Sequence, residues 1–400
     1  MQSALTSRRG VARSAVTAML ALAAGRAAAQ LAPPNAAQDQ DLPRLPDGLE
    51  VVAKLQQPPG NVAVTPEGRI ILSQHQYWNP TYRVMELTSG GRLLPFPNED
   101  WSLPPSSATD PGLVAVLGLR SDPDGIVWML DNAQQGGRLA GTPKLLGWDT
   151  RQDRMHALIA LPPPATVEDS FLNDLAIDAQ RGTIVISDPA GGGNAALVVV
   201  DLRTRQARRV LQGHASVTPQ EIPLTIDGQV IIGQVGGRMR NRFVGVDAIT
   251  IDPGQEHVYF GSLNGRTTWR VPAAALADPD LGGDALARQI ERYAERPPSD
   301  GQTIDSAGNL YVTDIGNHAI GVATPNGYRI LFQDDTALSW PDGFSAGPDN
   351  DIYVTVNRLH ESPVLSPARS ASGGGGATDQ PRAPTWLLRF KALAPIPVGR

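Results

Sequence analysis

The chain has 400 residues with 34 Lys+Arg against 40 Asp+Glu, a formal net charge of -6, which gives no basic face for a nucleic-acid partner. Forty-one Gly and 35 Pro among only 18% charged residues exclude both a disordered chain and a helical bundle, and point to many short strands joined by tight turns. With no cysteine, the chain has no thiol nucleophile, thiolate metal site or disulfide.

Residues 1–29 read as an export signal: Arg8 and Arg9, a weakly apolar stretch over 14–25, then Ala27-Ala28-Ala29, with cleavage placed before Gln30. The arginine pair suggests the twin-arginine route, with general secretion as the alternative, so the expected location is periplasmic or extracellular. Residues 30–48 read as a flexible segment and 49–400 as one domain, with no later apolar run long enough to span a bilayer.

Within 49–400 one pattern recurs six times: 61–73 (NVAVTPEGRIILS), 118–131 (GLRSDPDGIVWMLD), 173–188 (NDLAIDAQRGTIVISD), 247–262 (DAITIDPGQEHVYFGS), 300–314 (DGQTIDSAGNLYVTD) and 342–356 (DGFSAGPDNDIYVTV). Each is an alternating strand, a Gly- or Asn-bearing turn and a second strand, which is a β-hairpin. Two further strands follow most copies, for example 144–150 with 155–162, and 319–324 with 328–333. Four strands per unit in a radial repeat predict an all-β, six-bladed β-propeller. The last copy is followed by one strand only, 386–391, so 49–55 (LEVVAKL) is expected to complete the last blade and close the ring. A β-ribbon is expected within 223–243, with a basic end at Arg238, Arg240 and Arg242. The segment 273–291 is expected to have helical character, near 284–293 (DALARQIERY), and to link strands of the fourth blade, and a flexible loop is expected over 366–384.

In such a hairpin the start of the first strand and the end of the second lie at one face. The first set is Asn61, Gly118, Asn173 with Asp174, Asp247, Asp300 and Asp342. The second is Gln74, Asp131 with Asn132, Asp188, Asn264, Asp314 and Asn357. A ring of carboxylates and amides suits a hard cation, calcium first, or an organic amine. The same residue types also cap turns and strand ends. No G-x-S-x-G elbow and no phosphate loop is present, and no nucleotide or flavin is expected.

The stretches 75–84 (HQYWNPTYRV), 127–132 (VWMLDN), 173–178 with 187–192, and 339–345 (SWPDGFS) with 353–360 (YVTVNRLH) resemble the major royal jelly protein and Yellow family, in its bacterial branch. The resemblance runs over 49–400 and implies an exported propeller that binds a small molecule in its central cavity, with tautomerase-like activity in some members. A weaker likeness to gluconolactonase propellers implies an axial divalent cation, for which Asn173, Asp300 and Asp342 match the ligand pattern. On this reading His75 and His360 are candidate catalytic groups, and Asp131, Asn132, Asp188, Asp314, Asn357 and Tyr77 candidate ligand contacts. A lactone hydrolase and a non-catalytic interaction scaffold are the alternatives. No obligate protein partner is indicated.

Overall fold

The computed structural model describes residues 43–107, 109–235, 238–241, 243–366 and 380–399. The export signal, most of the 30–48 segment and the centre of the 366–384 loop lie outside the described residues.

Six four-stranded antiparallel sheets form the blades. Their innermost strands are Pro59–Val64, Val116–Ser121, Leu175–Asp178, Val246–Ile251, Gln302–Ile304 and Pro341–Ala346. Each of these touches the innermost strand of the next blade, and the sixth touches the first, so the ring is complete. Closure is made by Leu49–Leu55, which pairs antiparallel with Thr385–Lys391 as the outermost strand of blade 6. The predicted propeller and its N-terminal closure are therefore both present.

The core is divided among the junctions between blades. One apolar cluster fills each: Val62, Leu72 and Met85 of blade 1 meet Leu55 and Leu387 of blade 6, and Trp128 and Leu145 of blade 2 meet Ile184 and Val198 of blade 3. The other four junctions are built alike. Alternation makes this possible, because successive strand residues face opposite neighbours and both faces of a blade are covered. Each fully buried Leu, Val or Phe contributes roughly 1.5–3 kcal/mol relative to exposure.

The axial ends of the innermost strands are irregular. Their pairing with the second strand shifts register between Pro59 and Val62, Val116 and Leu119, Val246 and Ile249, and Pro341 and Phe344. Such bulges re-aim side chains, and they hold Asn61, Asp247 and Asp342. A second-strand hydroxyl takes up the N–H groups freed there: Ser73 Oγ accepts from Asn61 N at 2.8 Å and Thr355 Oγ1 from Gly343 N at 3.0 Å. The same hydroxyls donate onward to the next blade, to Leu117 O at 2.8 Å and Gly60 O at 2.6 Å. Glycine at 301 and 343 is a packing requirement: a Cβ at either position would collide with Asp342 O or with Asn61 Oδ1.

Two expectations need correction. Within 273–295 helix is confined to Ala273–Ala277 and Gly283–Ala287, which link two strands of blade 4 as expected, but Glu291–Glu295 is the outer strand of that blade, paired with Thr267–Pro272. The helix-forming composition of 284–292 yields there to edge pairing that buries Ala294. The single ribbon over 223–243 is two: Thr225–Ile226 with Gln229–Val230, and Ile232–Val235 with Arg238–Asn241. Among the described residues no helix is long and apolar enough to cross a membrane.

At the far end of the axis, where the innermost strands finish, residues 393–399 cross the opening. Ala394 N donates to Asp305 Oδ2 at 3.1 Å, and Gly399 N to Ala346 O at 2.8 Å. Val398 and Gly399 meet Ser121, Ile177 and Ile251 there.

Candidate functional site

The starts of the innermost strands surround a cavity of about 1340 Å³. Its floor holds Asn61, Asn173, Asp174, Asp247, Asp300 and Asp342, and its wall includes Tyr77, Phe171, Leu263 and Trp340. All of the first predicted set except Gly118 therefore lines one cavity, including the three residues matched to a metal.

Each acid of the floor is held differently. Asp174 accepts from Arg120 Nη2 at 2.9 Å, Asn61 Nδ2 at 3.0 Å and Leu175 N at 2.8 Å. Burial pushes its carboxyl up, and Arg120 opposes the rise. Arg120 is itself buried and donates also to Phe344 O at 2.7 Å, so one guanidinium ties blades 2, 3 and 6 together at the axis. Asp247 accepts from the Asn173 amide. Behind it, the buried guanidinium of Arg296 is lowered to about 10 by desolvation, which the charge of Asp247 opposes, and it stays charged at neutral pH.

Among the described residues, Asp300 and Asp342 meet no cationic partner of this kind. Asp300 Oδ2 accepts from Trp340 Nε1 at 2.6 Å, and Asp342 Oδ2 from Asn357 Nδ2 at 2.6 Å. Burial lifts Asp300 to about 6 against the Trp340 bond, with the charge of Asp174 adding to the rise. Asp342 is raised well above the usual carboxylate range, by burial first and then by the charges of Asp300, Asp247 and Asp174. Both carboxyls are thus shifted towards the protonated form, and their two titrations are linked.

The two candidate histidines separate. His75 lines the cavity; its Nδ1 accepts from Tyr77 N at 3.2 Å, which places the proton of the neutral ring on Nε2. Tyr77 meets it edge-on, ring centroids 4.9 Å apart, and lies 6.3 Å from Phe171. His360 is not on the lining. It stacks on Trp340 at 6.1 Å with planes 9° apart, and burial lowers it to about 4, so it is neutral.

Of the second predicted set, Asn264 lines the cavity, whereas Gln74, Asp131, Asn132, Asp188, Asp314 and Asn357 are not on its lining, so the expectation that both sets meet there is met only in part. Asp131 accepts from Lys144 Nζ at 2.7 Å and from the N–H groups of Val114, Ala115 and Ala133. Asp188 accepts from Arg209 Nη1 at 2.6 Å and Ser170 Oγ at 2.6 Å. Asp314 accepts from the Tyr328 hydroxyl at 2.7 Å and from Asn317. Asn132 Oδ1 accepts from Gln134 N at 3.0 Å, and Asn357 from Leu359 N at 3.0 Å. These groups fasten the loops that leave the second strands. Asn357 alone still reaches the floor, through Asp342.

As a metal centre the arrangement does not converge. Asn173 spends its amide on Asp247, and one oxygen each of Asp300 and Asp342 is taken by an N–H donor. Among the described residues no group of three or more His, Cys, Asp or Glu stands in ligand geometry. The residues that sequence reading missed are Arg120 and Trp340. Arg120 sits mid-strand, where alternation alone assigns it no partner. Trp340 is two residues before Asp342, in a stretch already singled out by resemblance.

Over residues 114–362 the sequence matches the family model of the major royal jelly proteins. The chain belongs to the major royal jelly protein family. Solved structures with the same fold include a luciferin-regenerating enzyme, 12% identical with a TM-score of 0.51, covering 88% of this chain and 98% of that one. A gluconolactonase from Xanthomonas campestris is 13% identical with a TM-score of 0.50, covering 89% and 97%. No curated protein matches the sequence. At these identities the likeness shows the propeller and nothing of the chemistry. Within the royal jelly fold of this chain, the axial acids and the aromatic wall carry the functional argument.

Proposed function

We propose that this royal jelly family member binds a small organic molecule in the axial cavity, with a basic or hydrogen-bond-donating group on the acid floor and an apolar or aromatic body against Tyr77, Phe171 and Trp340. The observation that carries this reading is the Asp300–Asp342 pair at the bottom of an aromatic-walled cavity of about 1340 Å³. The pair also suits proton transfer. A protonated Asp342 donates to one atom of the ligand while ionised Asp300 takes a proton from another, which is a tautomerisation with no net change in protons. His75, on the wall, is a second proton carrier. With the export signal expected over residues 1–29, this reading is of an activity outside the cytoplasm.

The test is calorimetric titration of the purified protein with aromatic amines, catechol-derived quinones and lactones, each followed for turnover. Binding that Asp300→Asn or Asp342→Asn weakens at least about tenfold supports the site, on the scale of one charge-assisted hydrogen bond. Lactone hydrolysis without amine or quinone binding replaces this reading with the hydrolase. No binding by any class in the folded protein leaves the scaffold.

A further inference from the structure

Between blades 3 and 4 the chain rises into the short ribbon Thr225–Ile226 with Gln229–Val230, closed by Ile231 N donating to Leu224 O at 2.8 Å. Leu224 and Ile231 line the axial cavity. The ribbon is a sheet of its own and pairs with no blade. Thr225 and residues 227–230 are exposed, Val230 to 44%. Only Leu224 and Ile226 are buried, in a seventh apolar cluster with Leu263, Ile315, Trp340 and Leu359. That cluster joins loops of blades 1, 4, 5 and 6 beside the cavity, Trp78 coming from blade 1, and fills no junction between blades.

The tip is fastened by polar contacts. Asp227 and Gly228 have φ of 52° and 72°, the two positive values of a tight hairpin turn. The turn brings the Asp227 carboxylate to two histidines from different blades, His318 Nε2 at 2.8 Å and His360 Nε2 at 3.5 Å. His318 follows the second strand of blade 5 and His360 that of blade 6. Glu361 lies 3.9 Å from His360 and is held by Arg358 at 2.7 Å. His360 also stacks on Trp340, whose indole N–H holds Asp300, so the tip is joined by contact to the cavity floor.

We propose that the ribbon 224–231 is a hinged lid on the axial cavity, latched at its tip by Asp227 across His318 and His360. Two buried apolar side chains, the partly buried Ile231 and one latch hold the lid, whereas each blade strand is held by ladder bonds and by packing on both faces. Segments with so few buried contacts open at far lower free energy than the fold as a whole. Opening withdraws Leu224 and Ile231 from the lining and widens the way to the carboxylates. The proposal does not depend on which ligand the cavity takes.

The cysteine-free chain permits a direct test without a ligand. A single thiol is placed by Leu263→Cys, beneath the lid on the cavity wall, and its reaction with N-ethylmaleimide is timed. Asp227→Gly and His318→Asn then release the latch from either side. Both replacements tolerate the left-handed backbone at these positions, φ 52° and 49°. Each is expected to speed labelling about tenfold or more, the scale of one charge-assisted hydrogen bond. The double variant should label no faster than the faster single one, because both remove the same contact. A thiol at Leu130, fully buried within blade 2, reports global unfolding and should stay slow throughout. Unchanged labelling at 263, multiplied effects in the double variant, or equal acceleration at 130 overturns the lid. Should the Leu263→Cys protein not fold, hydrogen exchange at the Ile231 amide in the cysteine-free chain gives the same comparison.

Discussion

Trp340 donates its indole N–H to Asp300 at 2.6 Å, and the two residues belong to neighbouring blades. Trp340 stands just before the innermost strand of blade 6, Asp300 just before that of blade 5. The bond crosses a blade junction and stabilises the ionised form of a carboxyl that burial raises. Trp340→Phe keeps a ring for the stack on His360 and deletes the donor. With a bond to a charged group worth about 1.5–3 kcal/mol, the Asp300 titration should move up by about 1–2 pH units. The pH profile of ligand binding, or the carboxyl signal by NMR, reads the shift. An unmoved midpoint refutes a role for the indole in setting the charge of the floor.

Stability should depend on pH in a definite direction. Asp300 titrates at about 6 in the folded protein against an ordinary value near 3.8. The folded state therefore binds more protons than the unfolded state between those values, and stability falls as pH rises through the window. For the buried Asp300 the loss is of order 3 kcal/mol. Asp342, raised further by burial and its acidic neighbours, extends the loss to higher pH. Asp342→Asn should raise the melting temperature at pH 8 and flatten its pH dependence, while weakening ligand binding. A variant that melts lower at pH 8, with an unaltered slope, shows that Asp342 supports the fold instead.

Arg120 and Asp174 form a buried pair at 2.9 Å between blades 2 and 3. Arg120→Ala leaves Asp174 buried with only the Asn61 amide and a backbone N–H, and should cost about 3–5 kcal/mol. Adding Asp174→Asn should recover part of that loss. Urea denaturation of the single and double variants measures both steps. A double variant that loses as much as the sum of the singles means the two residues act separately.

Ring closure gives the sharpest contrast in stability. Removing residues 49–55 strips Thr385–Lys391 of its outer partner, leaving only its pairing with Asp351–Val356, and uncovers an edge. Replacing Glu50 by Ala breaks only the exposed ion pair with Arg389 at 2.8 Å, worth about 0–1 kcal/mol. Thermal melting with light scattering should show a large loss and association for the truncation, and almost no change for Glu50→Ala. Equal melting temperatures would falsify the closure scheme.

The blade count, the strand order within each blade and the closing strand could all be read from the chain, because they rest on local periodicity repeated six times. Alternation specifies which residues are covered on both faces, and the lone final strand requires a partner from the other end. The register of the acids was legible for the same reason: Asn61, Asn173, Asp247, Asp300 and Asp342 occupy one place in the repeat. Their charge states were not legible. Whether an acid meets a cation, an indole or another acid depends on side chains from other strands, several of them in other blades. Arg120 reaches Asp174 from 54 positions away, Trp340 reaches Asp300 from 40, and Asp227 reaches His318 from 91. Asp131, Asp188 and Asp314 occupy one place in the repeat, yet Lys144 and Arg209 claim the first two while a tyrosine hydroxyl holds the third. Sequence spacing determined which residues stand at the axial end of the propeller. Only the packing of blade on blade decided which of them keep their charge, because burial and the nearest opposite charge are set across junctions that no local pattern records.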